Sequence, residues 1–202
     1  MRDGQTTMRI TVNGKKKFTA EGCKGCAVYL FQSGKRSVLL SEFIYGDSGR
    51  EFYGYSYSGG KFKKKEIGPY GFYYFGEVKK SGNYLKVYAE PKGTWWLKSF
   101  SSFSENPFRA VNTYKLSGGL LKKVNSYPTI SGTKTYYAVS AFSTGKTIAS
   151  VSSGNGPSVR AGQKVTLKAI SYRSKEFTYY YKISVNGKTG WFKDTESIRF
   201  TQ

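Results

Sequence analysis

Apolar and polar residues alternate two by two along most of this chain, and clusters of Gly, Ser, Asn and Lys interrupt the alternation at short intervals. Alternation with period two is the pattern of a half-buried strand, and such clusters mark turns. It predicts strands at Thr7–Val12, Ala27–Gln32, Ser37–Tyr45, Glu51–Tyr57, Lys61–Glu66, Phe72–Val78 and Tyr84–Glu90. Further strands are expected at Thr94–Phe100, Phe108–Leu116, Leu120–Asn125, Lys134–Ala141, Lys164–Tyr172, Phe177–Val185, Gly190–Lys193 and Ile198–Thr201. No window sustains apolar residues at i, i+3, i+4 and i+7 long enough for a stable helix. The expected class is all-β.

The same pattern repeats internally. "YSYSGGKFKK" (Tyr55–Lys64) aligns without gaps to "YKLSGGLLKK" (Tyr114–Lys123), an offset of 59 residues. In that register Val28-Tyr29 meets Val87-Tyr88, and "VLLSEF" from Val38 meets "LKSFSS" from Leu97. Several matches in one register indicate duplication. Two antiparallel units are expected, near residues 8–66 and 67–125, each ending in a hairpin with Ser-Gly-Gly at its turn. They would be blade-like or form a sandwich, because two blades cannot close a propeller ring. This region, 1–128, is set off by "NSYPTISGT" (Asn125–Thr133), which reads as a linker, from a last segment, 132–202.

Composition sharpens this picture in two ways. The 18 Tyr and 14 Phe supply the core area that few aliphatics could, and they favour strands. Thirty-three Lys and Arg against 12 Asp and Glu give a net charge of +21, which draws polyanions: nucleic acid, anionic lipid or acidic cell-wall polymer. The same lysines also serve solubility and keep sheet edges from pairing. No run of apolar residues is long enough to span a membrane, and "MRDGQTTMRI" is not a signal peptide. Met1 is read as a start placed before a mature extracellular domain.

Catalytic chemistry finds little support. With no histidine, Ser-His-Asp and Cys-His mechanisms are unavailable. Cys23 and Cys26 form a C-x-x-C pair, but a second Cys or His pair for zinc is lacking, and a strand rather than a helix follows. They read as thiols near a turn, able to form a small surface disulfide. Glu42, Asp47 and Glu51 are the acids closest in sequence, and they read as solvated or paired with lysine rather than as a glycosidase pair. "YGDSGREF" offers Asp47 alone to a calcium ion, too little for a site. No metal or cofactor is expected, and the chain is read as non-catalytic.

Binding is the remaining possibility. "GGKFKKKEIGPYGFYYF" (Gly59–Phe75) and "PKGTWWLKSF" (Pro91–Phe100) interleave aromatics with lysine, a pattern that stacks on sugars or bases while ammonium groups meet anions. Adjacent Trp95 and Trp96 must point to opposite faces of a strand, so one is a candidate platform. In the last segment Tyr136, Tyr180, Lys188 and Trp191 are the candidate ligand contacts, although Trp191 also fits a packing role behind its hairpin.

That segment carries a specific motif. "QKVTLKAISY" precedes "FTYYYKISVNGKTGWF", in which Asn186-Gly187 is the expected type I′ turn. Gly162, Lys164, Val165 and Leu167, then Tyr181, Lys182, Ile183, Val185, Asn186, Gly187, Lys188, Gly190 and Trp191, resemble the strand and hairpin of bacterial SH3-like domains. The resemblance implies a small β-barrel over 132–202 and a cell-envelope context, in which such domains tether secreted or surface proteins to peptidoglycan or scaffold their neighbours. The first two thirds are only generally similar to propeller-type repeats of secreted Gram-positive proteins. The expectation is therefore a secreted or surface-attached binding protein for cell-wall polymer, with nucleic-acid binding and a purely structural spacer as the rival readings.

Overall fold

A computed structural model of the chain describes residues 6–12, 14–23, 25–34, 36–45, 49–58, 61–66, 72–91, 108–117, 120–173, 175–195 and 197–201. Among these the protein is all-β and antiparallel, with one 3-10 turn at Ile148–Ser150. No helix among them is long and apolar enough to cross a membrane. The chain divides into two compact units, each assembled from separate stretches.

The first unit comprises residues 1–68, 79–86 and 114–124. Strands β1 (Thr6–Val12) and β2 (Lys15–Cys23) form a two-stranded sheet. Strands β3 (Gly25–Ser33), β4 (Arg36–Tyr45), β5 (Gly49–Ser58) and β6 (Lys61–Glu66) form a four-stranded meander in that order. The rest of the unit takes in parts of β7 (Phe72–Ser81), β8 (Tyr84–Pro91) and β9 (Ala110–Ser117), and all of β10 (Leu120–Lys123). Its buried side chains include Phe31, Val38, Leu40, Phe43, Tyr55, Leu85, Tyr114 and Leu121.

Hairpins β5–β6 and β9–β10 share one register. Ser58 pairs Lys61 and Tyr55 pairs Lys64; 59 residues later Ser117 pairs Leu120 and Tyr114 pairs Lys123. Tyr55 and Tyr114, equivalent in that register, are both buried. Strand β2 was not expected from "KKKFTAEGC", whose lysines and Glu21 have weak strand propensity. Pairing with β1, from Val12–Lys15 to Thr6–Cys23, holds it extended. Trp95, Trp96 and the strand expected at Thr94–Phe100 lie outside the described residues.

The second unit comprises residues 69–78, 87–113 and 125–202. It adds β11 (Thr129–Ala138), β12 (Phe142–Ser143), β13 (Ser158–Val159), β14 (Lys164–Arg173), β15 (Thr178–Val185), β16 (Lys188–Lys193) and β17 (Phe200–Thr201). The sheet order here is β16-β15-β14-β11-β9-β8-β7, with β17 paired to β11, while β12 and β13 pair separately. The turn at Asn186 (φ 48°) and Gly187 (φ 77°) has both central residues left-handed, as a type I′ turn demands, and Val185 pairs Lys188 across it. The expected linker is half strand. Asn125 accepts from Thr113 N and donates to the Val111 and Tyr127 carbonyls, and Thr129 then pairs both Val111 and Ala169.

The core of this unit gathers Ala89, Phe108, Ala110, Tyr136, Val165, Leu167, Tyr179, Tyr181, Ile183, Phe192 and Phe200. A satellite cluster of Ile148, Ala169, Tyr180 and Trp191 lies on the opposite face of β15. This explains why "TYYY" is buried without alternation: Tyr179 and Tyr181 enter the main core, and Tyr180 enters the satellite.

Burial pushes the phenols of Tyr114 and Tyr136 upward, and lifts that of Tyr180 to about 12 with help from Glu176. In the unfolded chain these groups ionise near pH 10, so above that pH the folded state holds more protons than the unfolded one. Stability is therefore complete below about pH 10 and falls as pH rises through the folded values. Urea unfolding is expected to show a flat stability up to about pH 10 and then, towards about pH 12, a decline of roughly 1.4 kcal/mol per pH unit for each fully buried phenol. Tyr114→Phe should make that decline shallower; an unchanged slope would show that Tyr114 does not contribute.

Candidate functional site

Four of the residues singled out in the sequence lie in the second unit, and three of them are packed away. Tyr136 is in the main core, and Tyr180 and Trp191 are in the satellite cluster. Trp191 thus takes the packing role that its hairpin also fits, and Tyr136 and Tyr180 are buried as well, while the candidate platform of Trp95 and Trp96 lies outside the described residues. Tyr180 and Trp191 are covered by the segment 144–157, which folds back over them through the Gly145–Trp191 bridge, whereas Tyr136 is enclosed by the main core. Gly145 and Trp191 exchange both backbone hydrogen bonds at 2.8 Å, Ile148 packs behind them, and the Tyr127 ring stands edge-on to the Trp191 indole at 4.7 Å. Tyr127 is the aromatic that faces solvent there, and Lys188 is exposed beside the Asn-Gly turn.

The Tyr180 hydroxyl emerges from this cluster and donates to Glu176 Oε2 at 2.6 Å. That bond, with Arg173 at 3.2 Å and Lys193 at 3.6 Å, holds the Glu176 carboxyl below the usual carboxylate range. The group is a surface tie between the start of β15 and β16, one carboxylate shared by two cations.

The other unit offers a different surface. Its stretches Lys79–Lys86 and Tyr114–Val124 contain Lys79, Lys80, Lys86, Lys115, Lys122 and Lys123 and no acidic residue. On β8, Leu85 and Val87 are buried, so Tyr84, Lys86 and Tyr88 face outward. On the β9–β10 hairpin, Tyr114 and Leu121 are buried and Lys115 and Lys122 are exposed. Lys115 and Lys122 are direct cross-strand partners. Strand β8 lies between β9 and β7, whose outward face carries Glu77 and Lys79.

Lys115 and Lys122 thus stand about one strand spacing apart, roughly 5 Å, and β8, which carries Tyr84 and Lys86 outward, is the next strand in the sheet. Like charges placed directly opposite in a ladder cost a few tenths of a kcal/mol, so the Lys115–Lys122 pair is a local cost to the fold. Lys123 pairs with buried Tyr114 and so lies on the other face of the hairpin, where partial burial holds its ammonium below the usual lysine value. An anion lying across the Lys115–Lys122 face relieves the repulsion there. The chemistry available is electrostatic capture of a charged chain, with tyrosine edges to pack on it.

The interleaved aromatics and lysines of Gly59–Phe75 and Pro91–Phe100 are the stretches expected to take this role. In the first, Lys64 stands 3.7 Å over the Tyr53 ring, a cation–π contact within the sheet; the second lies almost wholly outside the described residues. The missed signal was "KKSGNYLK" beside "YKLSGGLLKK", two acid-free hairpin ends on strands that the topology makes neighbours. No cluster of three or more metal-ligating side chains occurs among the described residues. Comparison with protein-family models, with curated proteins and with solved structures finds no match to the chain.

Proposed function

We propose that the chain is a non-catalytic binding module, secreted or surface-attached, that holds an anionic cell-wall polymer against the lysine face of β8, β9 and β10. The observation that carries this reading is the cross-strand Lys115–Lys122 pair in an acid-free stretch, where the fold accepts repulsion that an anion removes. Two related β-units and an SH3-like barrel make up the molecule on this reading. The shared register of β5–β6 and β9–β10, and the 59-residue spacing of β3 and β8, support the duplication. The meander β14–β15–β16, with β17 returning to β11, is a barrel-like strand order and supports the SH3-like reading of 132–202.

The test separates binding from folding. At about 0.15 M salt, where weak surface attraction is screened, wild-type protein is expected to pellet with purified cell walls. Lys115→Glu with Lys122→Glu should lower retention at least tenfold, while single Lys122→Glu leaves the urea midpoint equal or slightly higher. No retention of the wild type, or unchanged retention of the double variant, would refute the reading. Tighter binding to single-stranded oligonucleotides, with a steep log–log dependence on salt, would replace it by nucleic-acid recognition.

A further inference from the structure

The turn between β14 and β15 breaks a rule that the rest of the chain keeps. Arg173 pairs Thr178, and Phe177, just before Thr178, has φ 47°. Left-handed backbone favours glycine, because a Cβ there crowds the following carbonyl oxygen. Among the described residues, seven glycines and Asn186 hold the other left-handed positions. Phe177 is the exception, and a bulky aromatic is poorly suited to the place. Burial does not offset this. Phe177 is 64% exposed, the one exposed phenylalanine among those whose side chains are described. The other exposed aromatics among the described residues are tyrosines, Tyr29, Tyr84, Tyr127 and Tyr137, whose hydroxyls suit water.

The turn beneath the ring is firmly built. Glu176 N donates to the Arg173 carbonyl at 3.1 Å, and the Glu176 carboxylate gathers the Tyr180 hydroxyl, Arg173 and Lys193. Arg173 also stands 5.4 Å over the Tyr180 ring. A bare aromatic is thus held out on a fixed turn. Arg173, Lys175 and Lys193, all exposed, stand at its base against the single carboxylate of Glu176. Asp194, beyond Lys193 on β16, is buried.

We propose that this turn is a membrane-docking tip. Phe177 enters the acyl boundary of an anionic lipid surface, and Arg173, Lys175 and Lys193 meet its headgroups. Two features select this occupant. A ring without a hydroxyl is stabilised by leaving water for hydrocarbon, which a hydrated polymer does not offer. The cations at its base stand where headgroup phosphates lie, and the field of a chain at +21 draws it to such a surface. One ring and a few charges make a reversible contact rather than a permanent anchor. The tip belongs to the second unit and the Lys115–Lys122 pair to the first, so the two contacts stand or fall separately.

Cosedimentation of the full chain with lipid vesicles tests this. At about 0.15 M salt, wild type is expected to pellet with vesicles of equimolar phosphatidylglycerol and phosphatidylcholine, and about tenfold less with phosphatidylcholine alone. Phe177→Gly should lower retention on the anionic vesicles about fivefold while raising the urea midpoint, because glycine takes the left-handed turn without strain. Lys175→Glu should lower retention with the urea midpoint unchanged. Purified cell walls should retain Phe177→Gly as they retain wild type. No retention of wild type on anionic vesicles, equal retention of Phe177→Gly, or a lower urea midpoint for that variant would each overturn the proposal. A loss confined to cell walls would overturn it too, and would assign the ring to the polymer.

Discussion

Gly190→Ala is expected to cost about 3 kcal/mol, a large effect for the addition of one methyl group. Gly190 lies in β16, two residues beyond the turn-flanking Lys188, and its missing side chain is where Thr144 sits. A Cβ there would overlap Thr144 Oγ1, lie 2.7 Å from Thr144 Cβ and stand 3.0 Å from Pro157 Cδ. Thr144 cannot easily yield, because it is buried and its hydroxyl donates to the Pro157 carbonyl at 2.6 Å. Gly156 is hemmed in by the same residue, since a Cβ added there would stand 2.6 Å from Thr144 Oγ1. Urea unfolding of Gly190→Ala should show a lower midpoint. Adding Thr144→Gly to the variant should cost less than the two single losses summed, since it removes two of the three clashes. A Gly190→Ala midpoint within about 0.5 kcal/mol of wild type would show that the segment 144–157 is not held as described.

The second large effect is expected at Phe192. Its ring is buried and touches three others, with centroids 5.2 Å from Phe142, 5.4 Å from Tyr181 and 5.6 Å from Phe200. Phe192→Ala should lose roughly 3–5 kcal/mol through lost burial and the cavity left behind. Phe192→Leu, which keeps most of the volume, should lose clearly less. A structural readout accompanies the loss: the amide of Val139, which donates to the Arg199 carbonyl at 2.9 Å, should exchange faster once Phe200 loses its ring partners. Unchanged exchange at Val139 in Phe192→Ala would separate the tail from this aromatic cluster.

Much of the fold was legible because strand patterning and turn chemistry agree locally. β6 occurs at its expected bounds, β4, β8, β14 and β15 within one residue, and Asn186-Gly187 takes the turn its residues demand. Failures came where tertiary partners overrule propensity. Lysine-rich β2 extends because β1 pairs with it, and β11 begins inside a stretch that Pro and Gly mark as a loop, because Val111 and Ala169 hold Thr129 from both sides. The site was less legible for a related reason. Alternation assigns Tyr180 to solvent, but nothing in the sequence says that a Ser- and Gly-rich segment will fold over it. The lysine face depends on which hairpins lie side by side, and pairing order is a property of topology rather than of any short motif.

The return of β17 to β11 also orders events in time. Tyr137 pairs Thr201 and Ala138 pairs Phe200, partners more than sixty residues apart in the chain, whereas β14, β15 and β16 join through short turns. Local hairpins close quickly, and pairings across long loops come late. The meander can zip up by itself, but the niche for Phe200 beside Tyr136 and Phe192 stays open until β17 pairs with β11. During that interval an apolar slot meets water, and β17 is the latch that ends its exposure.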